Sequence, residues 1–196
     1  MPSKDSRNTQ AKIVNAAWKL FYTKGYESTT IDEIVEESGT SRGSFYHYFK
    51  GKDELLNTLA ELFDNKYSEL EDELEKAGGA YDRLLFLNHE LFFMIENSVP
   101  MDLLARMYSA QLVSGSGRNL LDRNRIYFKL LRRIVAKGME DGEFDASLSV
   151  NEVVKAYAMM ERAMISDWCL SNGEYSLVRE SENTLPRLLK GYINEK

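Results

Sequence analysis

Ser38-Gly39-Thr40-Ser41-Arg42-Gly43-Ser44-Phe45-Tyr46-His47-Tyr48-Phe49-Lys50 is the stretch on which the reading of this chain turns. Its first four residues have the length and composition of the turn in a helix-turn-helix, with Gly39 suited to a left-handed backbone position. Ser41 is placed to cap a short helix running to about residue 49. Phe45 and Phe49 lie four apart, so they share a face that can dock on neighbouring helices. Arg42, Ser44, Tyr46, His47 and Tyr48 then fall largely on the remaining surface. Gly43 lets the backbone approach a groove closely, and Arg42 can pair with guanine edges or phosphates. A recognition helix presents its first half to a DNA major groove in this way.

Two helices are expected before this one. Ile13, Ala16, Ala17, Leu20 and Phe21 form a stripe at helical spacing, stopped by Gly25 after Lys24. Ile31, Ile34 and Val35 form a second, shorter stripe, with Asp32 and Glu33 at the positive end of the helix dipole. Downstream, Leu55, Leu56, Leu59, Leu62, Phe63, Tyr67, Leu70 and Leu74 keep helical spacing for about six turns, up to the Gly78-Gly79 pair. A helix of that length, starting near Lys52, reads as a connector.

The remainder continues in helical period. Segments are expected over about 81–97, from Pro100 onward, over about 119–140, from the Ser149/Glu152 capping-box pair to about 170, and over about 175–193. Ser114-Gly115-Ser116-Gly117 reads as a loop, and Asp141-Gly142 and Asn172-Gly173 read as turns. Pro186 lies inside the last segment and is expected to kink it or delay its start. No stretch alternates apolar and polar residues long enough to argue for a sheet. The expected fold class is all-α: a three-helix helix-turn-helix module over 1–52, then a helical bundle over 53–196, with about nine helices in all.

The net charge of −6 speaks against nucleic acid, but its distribution does not. Residues 1–52 carry eight Lys/Arg against six Asp/Glu, and the rest carries 17 against 25. An acidic body with a mildly basic module suits a protein that presents one end to DNA. A lone Cys169 rules out an internal disulfide and a cysteine-rich zinc site. No second His or Cys stands near His89 to build a metal site, and neither metal nor cofactor is expected. There is no Ser-His-Asp or Cys-His spacing, no phosphate-binding glycine loop and no paired-carboxylate signal, so an enzyme is not expected. No apolar run is long enough to span a bilayer, and the polar start has no signal-peptide core, so the expected location is cytoplasmic with no membrane partner.

Thr29-Thr30-Ile31-Asp32-Glu33-Ile34, the run from Gly39 to Phe49, and Lys50-Gly51-Lys52-Asp53-Glu54-Leu55-Leu56 resemble, in order and spacing, the signature of the TetR family of transcriptional regulators. Phe21…Gly25-Tyr26 fits as well, so the likeness covers about residues 9–60. Gly138…Asp141-Gly142, Trp168 and Leu188-Leu189-Lys190-Gly191-Tyr192 are similar to a looser family pattern. The resemblance implies a homodimer, a repressor, that binds a palindromic operator in double-stranded DNA and is released by a small apolar or amphipathic effector. Carried over position by position, it implies that Arg42, Gly43, Ser44 and Tyr48 face base edges or nearby backbone, with Ser41 also in the DNA-binding set. It implies phosphate contacts for Thr30, at the start of the second helix, and for Tyr46, His47 and Lys52. Thr40 departs from the aliphatic residue usual in the family, which is expected to loosen packing at the turn. The rival reading is an all-helical dimeric interaction protein that has lost DNA specificity.

The body is rich in soft and aromatic side chains, and Met adapts to irregular cavities. Phe86, Phe93, Met107, Phe128, Met160, Met164 and Trp168 are the candidates for an effector pocket. Glu90, Arg106, Glu161 and Arg162 are candidate polar anchors, each set against an ordinary role as a surface charge or interface pair. The apolar stripes of the last two helices (Val153, Ala156, Tyr157, Met160, Ala163 and Met164; Leu177, Leu185, Leu188, Leu189 and Tyr192) serve equally a four-helix dimer interface, as in the family, or a hairpin within one chain.

Overall fold

The computed structural model describes residues 4–113 and 119–194, so the loop expected at Ser114-Gly115-Ser116-Gly117 lies outside the described residues. Among them the chain is helical: α1 (Lys4–Lys24), α2 (Ile31–Ser38), α3 (Arg42–Tyr48), α4 (Lys52–Leu55), α5 (Leu59–Glu69), α6 (Glu71–Leu74), α7 (Ala80–Ser98), α8 (Met101–Val113), α9 (Ile126–Glu140), α10 (Val150–Leu170) and α11 (Leu177–Leu189). With α4 to α6 taken as one interrupted helix, these are the nine elements the periodicity predicts. Phe144 and Ile193 form an isolated antiparallel bridge that ties the chain end to the α9–α10 turn.

α1, α2 and α3 pack round Ile13, Ala17, Phe21, Ile34, Phe45 and Phe49, all buried. Gly25 and Gly39 adopt the positive φ that ends α1 and α2. In the body, α7 packs on α9 and α11, and α10 lies against α8, α9 and α11. One apolar core runs from Ile13 through to Leu189.

Two expectations need correction. The connector is not continuous: a 3-10 turn, Leu56–Thr58, interrupts it. Thr58 is the physical cause. Its hydroxyl donates to the Leu55 carbonyl at 2.6 Å and accepts the Trp18 indole N–H at 2.7 Å. A side chain that competes for a helix carbonyl tightens the turn. The helix expected from about 119 starts only at Ile126, because the Asp122 carboxylate accepts the Asn124 N–H at 2.9 Å and holds a turn there. Of the two effects expected of Pro186, a delayed start is not the one seen: Pro186 sits inside α11, whose start Ser176 caps by accepting the Arg179 N–H at 3.2 Å.

Gly138 shows how closely the body is packed. A Cβ there would lie 2.5 Å from the Ala80 Cβ and 2.5 Å from the Phe144 ring. Gly138→Ala should lower stability by about 1–3 kcal/mol through overpacking, despite the better helix propensity of alanine. Thermal unfolding checks this, and an unchanged or raised midpoint would mean that α7 gives way without cost.

Candidate nucleic-acid interface and effector cavity

The turn between α2 and α3 is held by its own backbone. The Gly39 N–H donates to the Glu36 carbonyl and the Thr40 N–H to the Val35 carbonyl, each at 3.1 Å. The Thr40 hydroxyl lies 2.7 Å from that of Ser38, so the residue expected to loosen the turn is hydrogen-bonded within it. Ser41 caps α3 by accepting the Ser44 N–H at 3.0 Å. Phe45 is fully buried below, which turns Arg42, Gly43, Tyr46 and His47 outward, with Ser44 and Tyr48 half-buried at the edge. The structure therefore brings these predicted side chains to one surface.

The charges on this surface are largely engaged. The Arg42 guanidinium grips both carboxylate oxygens of Asp32, with Nε at 2.5 Å, and holds that carboxyl below its usual range. Lys19 pairs with Glu37 at 2.5 Å, and Lys24 pairs with Glu33. Thr30 opens α2 with a capping box: its N–H and hydroxyl donate to Glu33 at 2.8 and 2.9 Å. Lys24 and these two donors pull Glu33 down to about 2. Lys52 is half-buried beside them. Its ammonium donates to the carbonyls of Tyr26 and Thr29 at 2.6 and 2.9 Å and sits over the Tyr26 ring at 4.1 Å, so it fastens α4 to the loop before α2.

In the body, a cleft of about 370 Å³ opens between α8 and α10, with Tyr108, Gln111 and Leu112 on one side and Arg162, Ala163 and Ser166 on the other. It leads past Tyr108 and Arg162 to an inner void of about 40 Å³ among Phe63, Tyr67, Leu91, Tyr127 and Glu161. Glu161 is 3% exposed. Its carboxylate accepts the Tyr127 hydroxyl at 2.5 Å and the Asn88 amide at 3.0 Å, and burial pushes its pKa up. Arg125 closes the far side through Asp64, at 2.9 Å, and the Ala60 carbonyl. A larger open groove runs between α1 and α5 at the surface, along Trp18 and Leu62.

None of the seven aromatic and methionine candidates lines this cleft or void. Met107, Met164 and Trp168 are buried elsewhere in the core, and Phe86 and Met160 are half-buried against it. Phe93 is 54% exposed, stacked on His89. Phe128 lines an adjoining groove between α9 and α10 that shares Leu121 and Arg162 with the cleft. The cleft is made instead by the neighbouring helix face. The legible signal was the charged pair Glu161-Arg162 set in the apolar run of α10. Of the other two anchors, Glu90 pairs with Lys66 at 3.1 Å and Arg106 with Glu27 at 2.6 Å.

The sequence model of the TetR family of bacterial regulatory proteins matches residues 13–59, and that of the C-terminal region of YsiA-like protein matches residues 63–191. The chain belongs to the TetR family. The Bacillus subtilis fatty acid metabolism regulator protein is 21% identical over 193 residues, 98% of this chain and all of that protein. Among solved structures, Thermus thermophilus FadR in complex with lauroyl-CoA superposes with a TM-score of 0.79 at 23% identity, covering 95% of this chain and 96% of that one. FadR from Bacillus subtilis with stearoyl-CoA gives 0.71 at 22%, covering 93% and 98%. These TetR-family relatives are transcriptional regulators, not enzymes. Among the described residues, no three His, Cys, Asp or Glu side chains are grouped to hold a metal, and no helix is long and apolar enough to cross a membrane.

In this TetR-family chain the apolar stripes of the last two helices divide. Val153, Tyr157, Met164, Leu177, Leu185 and Leu189 are buried within the chain, in the hairpin of α10 and α11. Of the same stripes Ala163 and Leu188 stay exposed, and Leu170, outside them at the end of α10, is 86% exposed.

Proposed function

We propose that the chain is a dimeric repressor that binds a palindromic operator through α3 and lets go when an acyl thioester enters the α8–α10 cleft. The carrying observation is the outward face of α3, where Arg42, Gly43, Tyr46 and His47 stand clear of a buried Phe45. Thr30 at the start of α2, with Ser41, Ser44, Tyr48 and Lys52, completes the DNA-reading set. Residues 1–52 are the reader and 53–196 the effector and dimer body, acting in the cytoplasm. The exposed apolar residues of α10 and α11 support pairing of two chains there. Two readers must then meet successive major grooves about 34 Å apart. The FadR structures with lauroyl-CoA and stearoyl-CoA supply the effector class.

A route for release follows from the contacts of α8. Gln111, which lines the cleft, donates to Asn57 in the 3-10 turn of the connector at 2.8 Å. Arg106 pairs with Glu27 and sits over the Tyr26 ring at 5.1 Å. A shift of α8 therefore pulls on both ends of the reader's attachment, and a small pivot is enough to spoil the groove spacing. Selection from random duplex DNA should return an inverted repeat, bound by a dimer and released by lauroyl-CoA. Recovery of no repeat would overturn the operator reading. Binding undiminished by saturating lauroyl-CoA would overturn the effector reading.

A further inference from the structure

We propose that the groove between α9 and α10 binds the phosphates of a ligand's head group, as an extension of the effector cleft; this rests on the acyl-thioester reading above. The groove holds about 400 Å³. Four cations line it: Arg123 from the turn before α9, Arg132 from α9, and Lys155 and Arg162 from α10. No acidic side chain lines it, in a chain of net charge −6. Every other cluster of bases described here is interleaved with acids; among the described residues, none of these four is in an ion pair. Arg132 donates to the Arg123 carbonyl at 2.9 Å, which fastens the turn bearing Arg123 to α9.

Four like charges on one groove repel one another, and among the described residues no ion pair to any of the four offsets that. Their complement is an anion with several charges, and guanidinium forks match phosphate geometry. A single carboxylate would answer one of them and leave three. The floor, at Phe128, Val154 and Ala158, is apolar and suits an organic body between the phosphates. Leu121 and Arg162 line both this groove and the effector cleft. An apolar tail in the cleft and a phosphorylated head in the groove can thus belong to one molecule.

Calorimetric titration of the full chain with lauroyl-CoA, coenzyme A and laurate tests this. Arg132→Ala combined with Lys155→Ala should weaken lauroyl-CoA binding at least about tenfold and flatten its salt dependence, with laurate unaffected. Arg123→Ala, on an exposed turn, should move affinity the same way and guards against a folding defect in the double variant. Lauroyl-CoA bound equally by variant and parent overturns the groove assignment. If laurate binds as well as lauroyl-CoA, the groove assignment fails and the acyl reading survives. If coenzyme A binds, is lost in the double variant, and laurate does not bind, the groove stands and the acyl reading fails.

Discussion

Arg42→Ala is expected to weaken operator binding by about 2–6 kcal/mol, because a good bidentate contact contributes about 1–3 kcal/mol and a dimer holds two copies. Folding should be untouched. The Arg42–Asp32 pair is exposed on both sides, and exposed pairs contribute little to stability. In the free protein Asp32 takes the Nε and Nη2 edge of the guanidinium, so a base contact would have to use the other edge. Asp32→Ala therefore makes a second, opposite-looking prediction at the same site. Losing a carboxylate beside the phosphate backbone should raise affinity for random DNA, while the ratio of specific to random affinity falls because the fork is no longer held. Electrophoretic shift assays against the selected operator and a scrambled duplex separate these effects. An Arg42→Ala protein with unchanged preference for the operator would remove Arg42 from the reading set.

Local chemistry made the reader legible, and long-range geometry hid the cavity. Ser41, Gly39 and the Phe45/Phe49 pair act within a few residues of themselves, so their caps, turn and buried face follow from spacing alone. The Thr30–Glu33 capping box is legible by the same rule that finds Ser149 and Glu152. The break at Thr58 depends on Trp18, 40 positions away, and no periodicity contains it. The cavity fails for a related reason. Helical period says that Tyr157, Glu161, Met164, Ile165 and Trp168 share a face, but not which neighbour that face meets. Met107, Met164 and Trp168 turned into packed core, and the open space formed one step round the helix at Arg162, Ala163 and Ser166. Lys52 was readable as a cation near DNA, but not as a donor to two carbonyls that only the folded loop brings to it.

Glu161 is where the body should prove least tolerant. Glu161→Ala orphans the Tyr127 hydroxyl and the Asn88 amide and leaves a hole beside the inner void. Each orphaned donor costs about 1–3 kcal/mol, and with the hole the loss is about 3–5 kcal/mol. That corresponds to a melting midpoint lower by roughly 6–20 °C for a chain of this size. Glu161→Gln should be far milder, and its effect should depend on pH with a definite sign. Burial raises the carboxyl above its ordinary 4.5 in the folded chain. The protonated form is thus favoured by folding, so the stability it brings is complete below 4.5 and is lost as pH rises through the higher folded value. Glutamine is neutral throughout, so the variant keeps what the parent loses. Denaturant unfolding of both proteins at about pH 5 and about pH 8, compared as a difference, cancels the other titrating groups. The variant should gain on the parent as pH rises. A difference that stays flat or runs the other way would mean that Tyr127 and Asn88 hold Glu161 ionised despite its burial, and the floor of the cavity would then carry a full negative charge toward any ligand that enters.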